Sequence, residues 1–155
     1  MSSPVSRWSA AVTPRLPAWL RPASIGWVFV GGTLGAATRD VLTRSFVPDG
    51  PFPWTTLIIN VSGAFLLGCL LDLLARAGPD TGWRRRTRLL LGSGFLGAYT
   101  TYSTLVVESV RLGESGSLGL ALAYDVCSIL AGFGAAYLAT WLVRRLRVEG
   151  VGASD

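Results

Sequence analysis

The chain has 155 residues, 50% of them hydrophobic and only 15% charged, with a mean hydropathy of +0.48, a balance that belongs to a membrane protein rather than a soluble domain. All 14 basic residues are arginine and the net charge is +5, but the arginines flank apolar segments instead of forming one basic face, so they read as topology determinants and not as a nucleic-acid surface. There is no histidine, and Cys69 and Cys127 both fall inside apolar segments, which argues against a transition-metal centre, a disulfide framework and a catalytic triad.

Residues 1–22 hold Pro4, Pro14, Pro17 and Pro22, several serines, and Arg7, Arg15 and Arg21. They are expected to form a mobile cytoplasmic tail. A cleaved signal peptide is the competing reading. It is disfavoured because the apolar pattern resumes after Arg39 without a clear break.

Four apolar segments follow, at about 25–46, 54–75, 88–112 and 118–143. Each has roughly the 20 residues needed to cross a hydrocarbon core of ~30 Å. The expected architecture is all-α, with four transmembrane helices in a single domain over 23–146 and a short C-terminal tail over 147–155. The tail, the second connection and the C-terminus would share one side of the membrane. They carry Arg7, Arg15, Arg21, Arg76, Arg84, Arg85, Arg86, Arg88, Arg144, Arg145 and Arg147, against Arg44 and Arg111 on the other side. The positive-inside rule then puts both termini in the cytoplasm.

The first segment contains Gly31-Gly32-x-x-Gly35-Ala36-x-x-Arg39. Gly31 and Gly35 make a face of small residues suited to close helix packing. Arg39 lies well inside the segment, where a charge needs water or a partner. It can pair with Asp40 or another acid, or form a cationic mouth that concentrates anions. In the second segment Asn60 is a carboxamide at membrane depth, with Thr56 one turn earlier on the same face. It can hydrogen-bond a neighbouring helix or donate its NH₂ to a partly dehydrated anion.

The third segment holds the most unusual stretch, Gly92 to Leu105, which reads G-S-G-F-L-G-A-Y-T-T-Y-S-T-L. A lipid-facing span has no use for so many glycines and hydroxyls. Irregular or polar backbone at membrane depth persists only when buried in protein or lining a cavity. Gly97-Ala98-Tyr99-Thr100 is the expected break, and a break frees carbonyls that can hold a hard cation. Tyr102 and Leu105, with the hydroxyls of Ser103 and Thr104, would follow it, and Glu108 comes a turn later. In the fourth segment Tyr124, Ser128 and Gly132 are spaced four apart in a single stripe. Asp125 is a buried acid whose partner the pattern does not name.

These motifs in this order resemble the Fluc (CrcB) fluoride channels. The resemblance rests on the first-segment glycines and Arg39, on Asn60-x-x-Gly63-x-Phe65-x-x-Gly68, and on Gly94-Phe95-x-Gly97-x-x-Thr100-Thr101-x-Ser103-Thr104. It covers about residues 25–143. It implies an antiparallel dual-topology dimer with two pores that passes fluoride out of the cell by passive diffusion through a bacterial inner membrane. It implies a structural Na⁺ on the dimer axis, held by backbone carbonyls at Gly97 and Thr100. It further implies a pore built from Asn60, Tyr102, Ser103, Thr104, Leu105, Tyr124 and Ser128, with Arg39 at the vestibule.

Two departures from the family pattern stand out. Tyr102 and Leu105 occupy positions usually held by phenylalanines, and Leu105 offers no ring edge to an anion. Gly132 stands where the fourth-segment track often has a serine. The uneven distribution of arginine also disfavours insertion in both directions, so the expected partner is an oppositely oriented paralogue rather than a second copy. The alternative class is a small multidrug-type, proton-coupled exporter, which also has four short spans. No acid lies in the middle of the first span, where such an exporter would be expected to carry one.

Overall fold

The computed structural model describes residues 22–46 and 50–151, apart from the side chains of 147–151. The expected mobile tail therefore lies outside the described residues, except for Pro22. The described residues are helical and connected by short turns. Helix α1 spans Pro22–Ser45 and α2 spans Trp54–Ala77. Helix α3, Gly82–Thr87, runs into a π-helical stretch, Arg88–Leu96, and then into one further turn, α4, Gly97–Tyr99. Helix α5 spans Ser103–Glu114 and α6 spans Leu118–Val151, so α6 runs past residue 146, the expected end of the membrane domain.

Two helical segments, Trp54–Ala77 and Leu118–Leu146, are long and apolar enough to cross a membrane. Only 11% and 17% of their most apolar windows is buried within the chain, so they are not core helices of a soluble protein. The outer faces of α1 and α6 expose Phe29, Leu34, Leu130 and Phe133. Apolar exposure on this scale suits lipid or a partner and not water. The chain is a membrane protein. The remaining two expected spans are less regular. Helix α1 matches α2 in length but carries Arg39, Asp40 and Arg44, and the third is divided among short elements.

Packing follows the small residues. Helix α1 lies against the π-helical stretch and α4, while α6 packs on α2 and α5. On α1, a Cβ added to Gly31 would overlap the Leu90 carbonyl, and one added to Gly35 would overlap the Phe95 carbonyl. From the other side, a Cβ on Gly94 would sit 2.8 Å from the Val28 carbonyl oxygen. The two backbones are in direct contact, which only glycine permits here. A second seam joins α2 to α6, where a Cβ on Gly68 would come within 2.9 Å of the Ala139 methyl. One core cluster gathers Ile59, Leu96 and Tyr99, and another gathers Leu112, Ala121 and Tyr124.

The arginine-rich connection is held by its own charges. Arg88 forks onto Asp80 at 2.7 and 3.0 Å, and its hydrogen bonds hold the Asp80 carboxyl below the usual carboxylate range. Arg84 donates to the carbonyls of Pro79 and Ala77 at 2.7 and 3.2 Å, satisfying groups left open at the end of α2.

The glycine seam generates a direct test. Gly35→Ala puts a methyl group into the Phe95 carbonyl and is expected to cost ~1–3 kcal/mol or more. Gly26→Ala, where nothing lies within 4 Å of the added methyl, is expected to be neutral or mildly stabilising. Thermal unfolding midpoints of the two variants in detergent, compared with the native chain, check the contrast.

Candidate functional site

The site is built around the gap between α4 and α5. Thr100 is extended, with ψ 159°, and helix resumes only at Ser103. In a continuous helix the Thr101 and Thr104 N–H groups would bond to the Gly97 and Thr100 carbonyls. Here the Thr101 N–H donates to Asn60 Oδ1 at 2.8 Å, and Asn60 Nδ2 donates back to the Thr101 carbonyl at 2.8 Å. The Thr104 N–H donates to Thr101 Oγ1 at 3.2 Å, and the Thr100 carbonyl accepts from Arg39 Nη1 at 3.1 Å. Side chains from α2, from α1 and from Thr101 within the gap thus stand in for the missing helical partners. The Gly97 carbonyl loses its helical partner because Asn60 takes the Thr101 N–H.

Two grooves meet at this gap. One, of about 340 Å³, is lined by Asn60, Tyr102, Leu105, Ser109, Asp125 and Ser128, with Val106, Val110 and Ile129. The other, of about 320 Å³, includes Asn60, Gly63, Thr100, Thr101, Tyr102 and Leu105. Asn60, Tyr102 and Leu105 belong to both. Asn60 keeps one N–H beyond the one it gives to Thr101.

A larger groove of about 460 Å³ opens near the α1–α2 connection, with Thr55, Thr56, Glu108 and Arg111 among its lining residues. Glu108 there receives two hydroxyls. Thr56 donates to Oε1 at 2.9 Å and Tyr124 donates to Oε2 at 2.8 Å. Tyr124 is fully buried, and Phe52 packs its ring edge-on at 5.5 Å. The next residue after Glu108, Ser109, donates to Asp125 Oδ2 at 2.8 Å.

The sequence-predicted residues fall into three groups. Asn60, Tyr102, Leu105 and Ser128 line the 340 Å³ groove together. Tyr124, on the same stripe as Ser128, is turned to Glu108. Ser103 and Thr104 gather around the Thr101 hydroxyl, at 3.3 and 3.0 Å, and Thr101 Oγ1 accepts the Thr104 N–H at the start of α5. Arg39 bridges α1 to the gap. The sequence reading noted Thr56, Glu108 and Asp125 without assigning them to the site, and it passed over Ser109. Thr56 and Ser109 are hydroxyls facing an acid across a helix interface, a pairing that only tertiary contact creates.

Residues 26–140 match the protein family described as CrcB-like protein, Camphor Resistance (CrcB). The chain is 46% identical over 125 residues to a protein of Cutibacterium acnes named fluoride-specific ion channel FluC 1, covering 79% of this chain and 84% of that one. It is 46% identical over 123 residues to the FluC 1 fluoride-specific ion channel of Mycobacterium bovis, covering 79% and 91%. It is 43% identical over 123 residues to FluC 2 of Leifsonia xyli, covering 79% and 84%.

Asn60 is the residue whose loss the geometry predicts to matter most for folding. Asn60→Leu strands one buried N–H and one buried carbonyl of Thr101, each worth ~1–3 kcal/mol. Denaturation in detergent should show a loss of several kcal/mol. Glu108→Gln should cost less, ~1–3 kcal/mol, because the amide nitrogen cannot accept from the second hydroxyl.

Proposed function

The chain belongs to the CrcB family, and from that premise we propose that it is one subunit of a fluoride-specific channel through which cytoplasmic fluoride leaves the cell by passive diffusion. Export of this kind lowers intracellular fluoride and its toxicity. The observation that carries the reading is the run of donors on the groove wall, Asn60 and Ser128 above all, set within an apolar chain whose relatives are named fluoride-specific ion channels.

Fluoride is small and strongly hydrated, so a pore must replace its water with N–H and O–H donors as it passes. The second N–H of Asn60 and the Ser128 hydroxyl are such donors, and the ring edge of Tyr102 adds a weak positive one. Glu108 holds the Tyr124 and Thr56 hydroxyls in place, which fixes the neighbouring turn of α6. Chloride, being larger, needs a wider path than a narrow donor-lined groove provides. Arg39 contributes a positive charge near the gap, at the Thr100 carbonyl.

The gap also fits the Na⁺ expected from the family. Its donors would be carbonyl oxygens, which suit a hard cation. The Gly97 carbonyl has lost its helical N–H, and the Thr100 carbonyl keeps one lone pair beside the bond from Arg39. Gly97 and Thr100 would hold the ion, which when bound supplies a fixed positive charge tying two subunits together.

The channel is read as an antiparallel dimer in the bacterial inner membrane, with both termini of this chain in the cytoplasm. Tyr102 is 80% exposed, and a second subunit would cover it. The arginine imbalance favours an oppositely oriented paralogue as that subunit. Expression in a fluoride-sensitive, exporter-deficient bacterium separates the possibilities. The chain together with its paralogue should restore growth on fluoride, while the chain alone should not. Full rescue by the chain alone would sink the heterodimer, and no rescue by any combination would sink the channel.

A further inference from the structure

Residues 84–88 hold four arginines, and only two of them are used by the fold. Arg84 donates to the Pro79 and Ala77 carbonyls, and Arg88 forks onto Asp80. Arg85 and Arg86 form no hydrogen bond or ion pair among the described residues. Both line a groove of about 300 Å³ between this stretch and the start of α1, together with Ala23, Trp27, Asp80 and Leu89. Asp80 is already neutralised by Arg88, so Arg85 and Arg86 leave the groove with an excess of positive charge. Arg85 is half-buried there, and a guanidinium partly withdrawn from water favours a bound counter-ion. Its planar fork matches the paired oxygens of a phosphate.

What adjoins the arginines points to a lipid rather than a soluble anion. Trp27 and Leu89 give the groove apolar walls. Ala23, Trp27, Val30 and Leu34 lie on one stripe of α1 and are all exposed, so an apolar track leads from the groove along the span. Trp27 and Trp83 are both exposed, and the Arg84 guanidinium lies 5.8 Å from the Trp83 ring centre. Exposed tryptophan beside arginine is the pattern of a membrane interface. Residues 1–21, which lead into α1, contain Arg7, Arg15 and Arg21 but no Asp or Glu, so they add positive charge and offer no competing carboxylate.

We infer that this groove binds the phosphate headgroup of an anionic phospholipid. Arg85 and Arg86 fork onto the phosphate oxygens, and an acyl chain lies along the Trp27–Leu34 stripe. The bound lipid ties the start of α1 to the α2–α3 connection. The groove shares no lining residue with the two that meet at the gap, and the inference does not depend on what the channel carries.

The test is lipid uptake by the full chain, purified in detergent with any subunit that accompanies it and stripped of lipid. Native mass spectrometry follows binding of phosphatidylglycerol and, separately, of zwitterionic phosphatidylcholine with the same acyl chains. Phosphatidylglycerol should bind the native protein about tenfold or more tightly, the scale set by two arginines at an anionic surface. Arg85→Gln/Arg86→Gln should remove most of that preference, while Arg144→Gln/Arg145→Gln, the same loss of charge on α6, should leave it nearly unchanged. Ala23→Trp keeps every charge but fills the groove, and it should weaken phosphatidylglycerol too. Unfolding midpoints of the lipid-free arginine variants should match the native chain, and a fall in the Arg85/Arg86 pair would show that the fold uses them and overturn the inference. Equal losses in the two double variants mean diffuse attraction and refute the site, as does native protein with no preference for phosphatidylglycerol. Undiminished binding to Ala23→Trp refutes the groove. Inorganic phosphate at the lipid's own concentration should not displace it, and displacement would assign the site to a soluble anion instead.

Discussion

The rest of the site depends on how the backbone groups released at Thr100–Tyr102 are satisfied. In apolar surroundings an unpaired N–H or carbonyl costs ~1–3 kcal/mol, enough to draw the chain back into helix. Asn60 prevents this by bonding both polar groups of Thr101, and Arg39 does the same for the Thr100 carbonyl. The same bonds tie α2 and α1 to the third span. They also set Tyr102 and Leu105 where the two grooves meet.

That arrangement needs α1 to approach very closely, and glycine provides the approach. Gly31, Gly35 and Arg39 are spaced four apart and lie on one face. Where the two glycines touch the Leu90 and Phe95 carbonyls, the next turn delivers Arg39 to Thr100. A bulkier residue at either glycine would lift the guanidinium away from the gap. The glycine seam and the polar gap are thus one structural unit, although they read as separate motifs.

The two acids between α5 and α6 show how burial can assign opposite roles to the same chemistry. Glu108 accepts from Thr56 and Tyr124 and anchors both helices around it. Among the described residues, Asp125 accepts from Ser109 alone, and its other oxygen is buried without a donor. The first is a fully bonded hub. The second is a polar group whose bonding within the described chain is incomplete.

Much of the class was legible in the chain itself. Composition marks a membrane protein, hydropathy locates the α2 and α6 spans, and the spacing of Gly31, Gly35, Tyr124 and Ser128 assigns them to helix faces. These properties are local, because a helix face is set by a repeat of 3.6 residues. What the tertiary structure decided was the partner of each polar group. Asn60 meets Thr101 across 41 positions, and Arg39 meets Thr100 across 61. Ser103 and Thr104 gather on the Thr101 hydroxyl at the start of α5, a contact that their spacing along the chain does not state. Periodicity states that a polar side chain lies at membrane depth. Only the packing of distant segments states whether its hydrogen bonds go to backbone, to another side chain, or remain open to an ion.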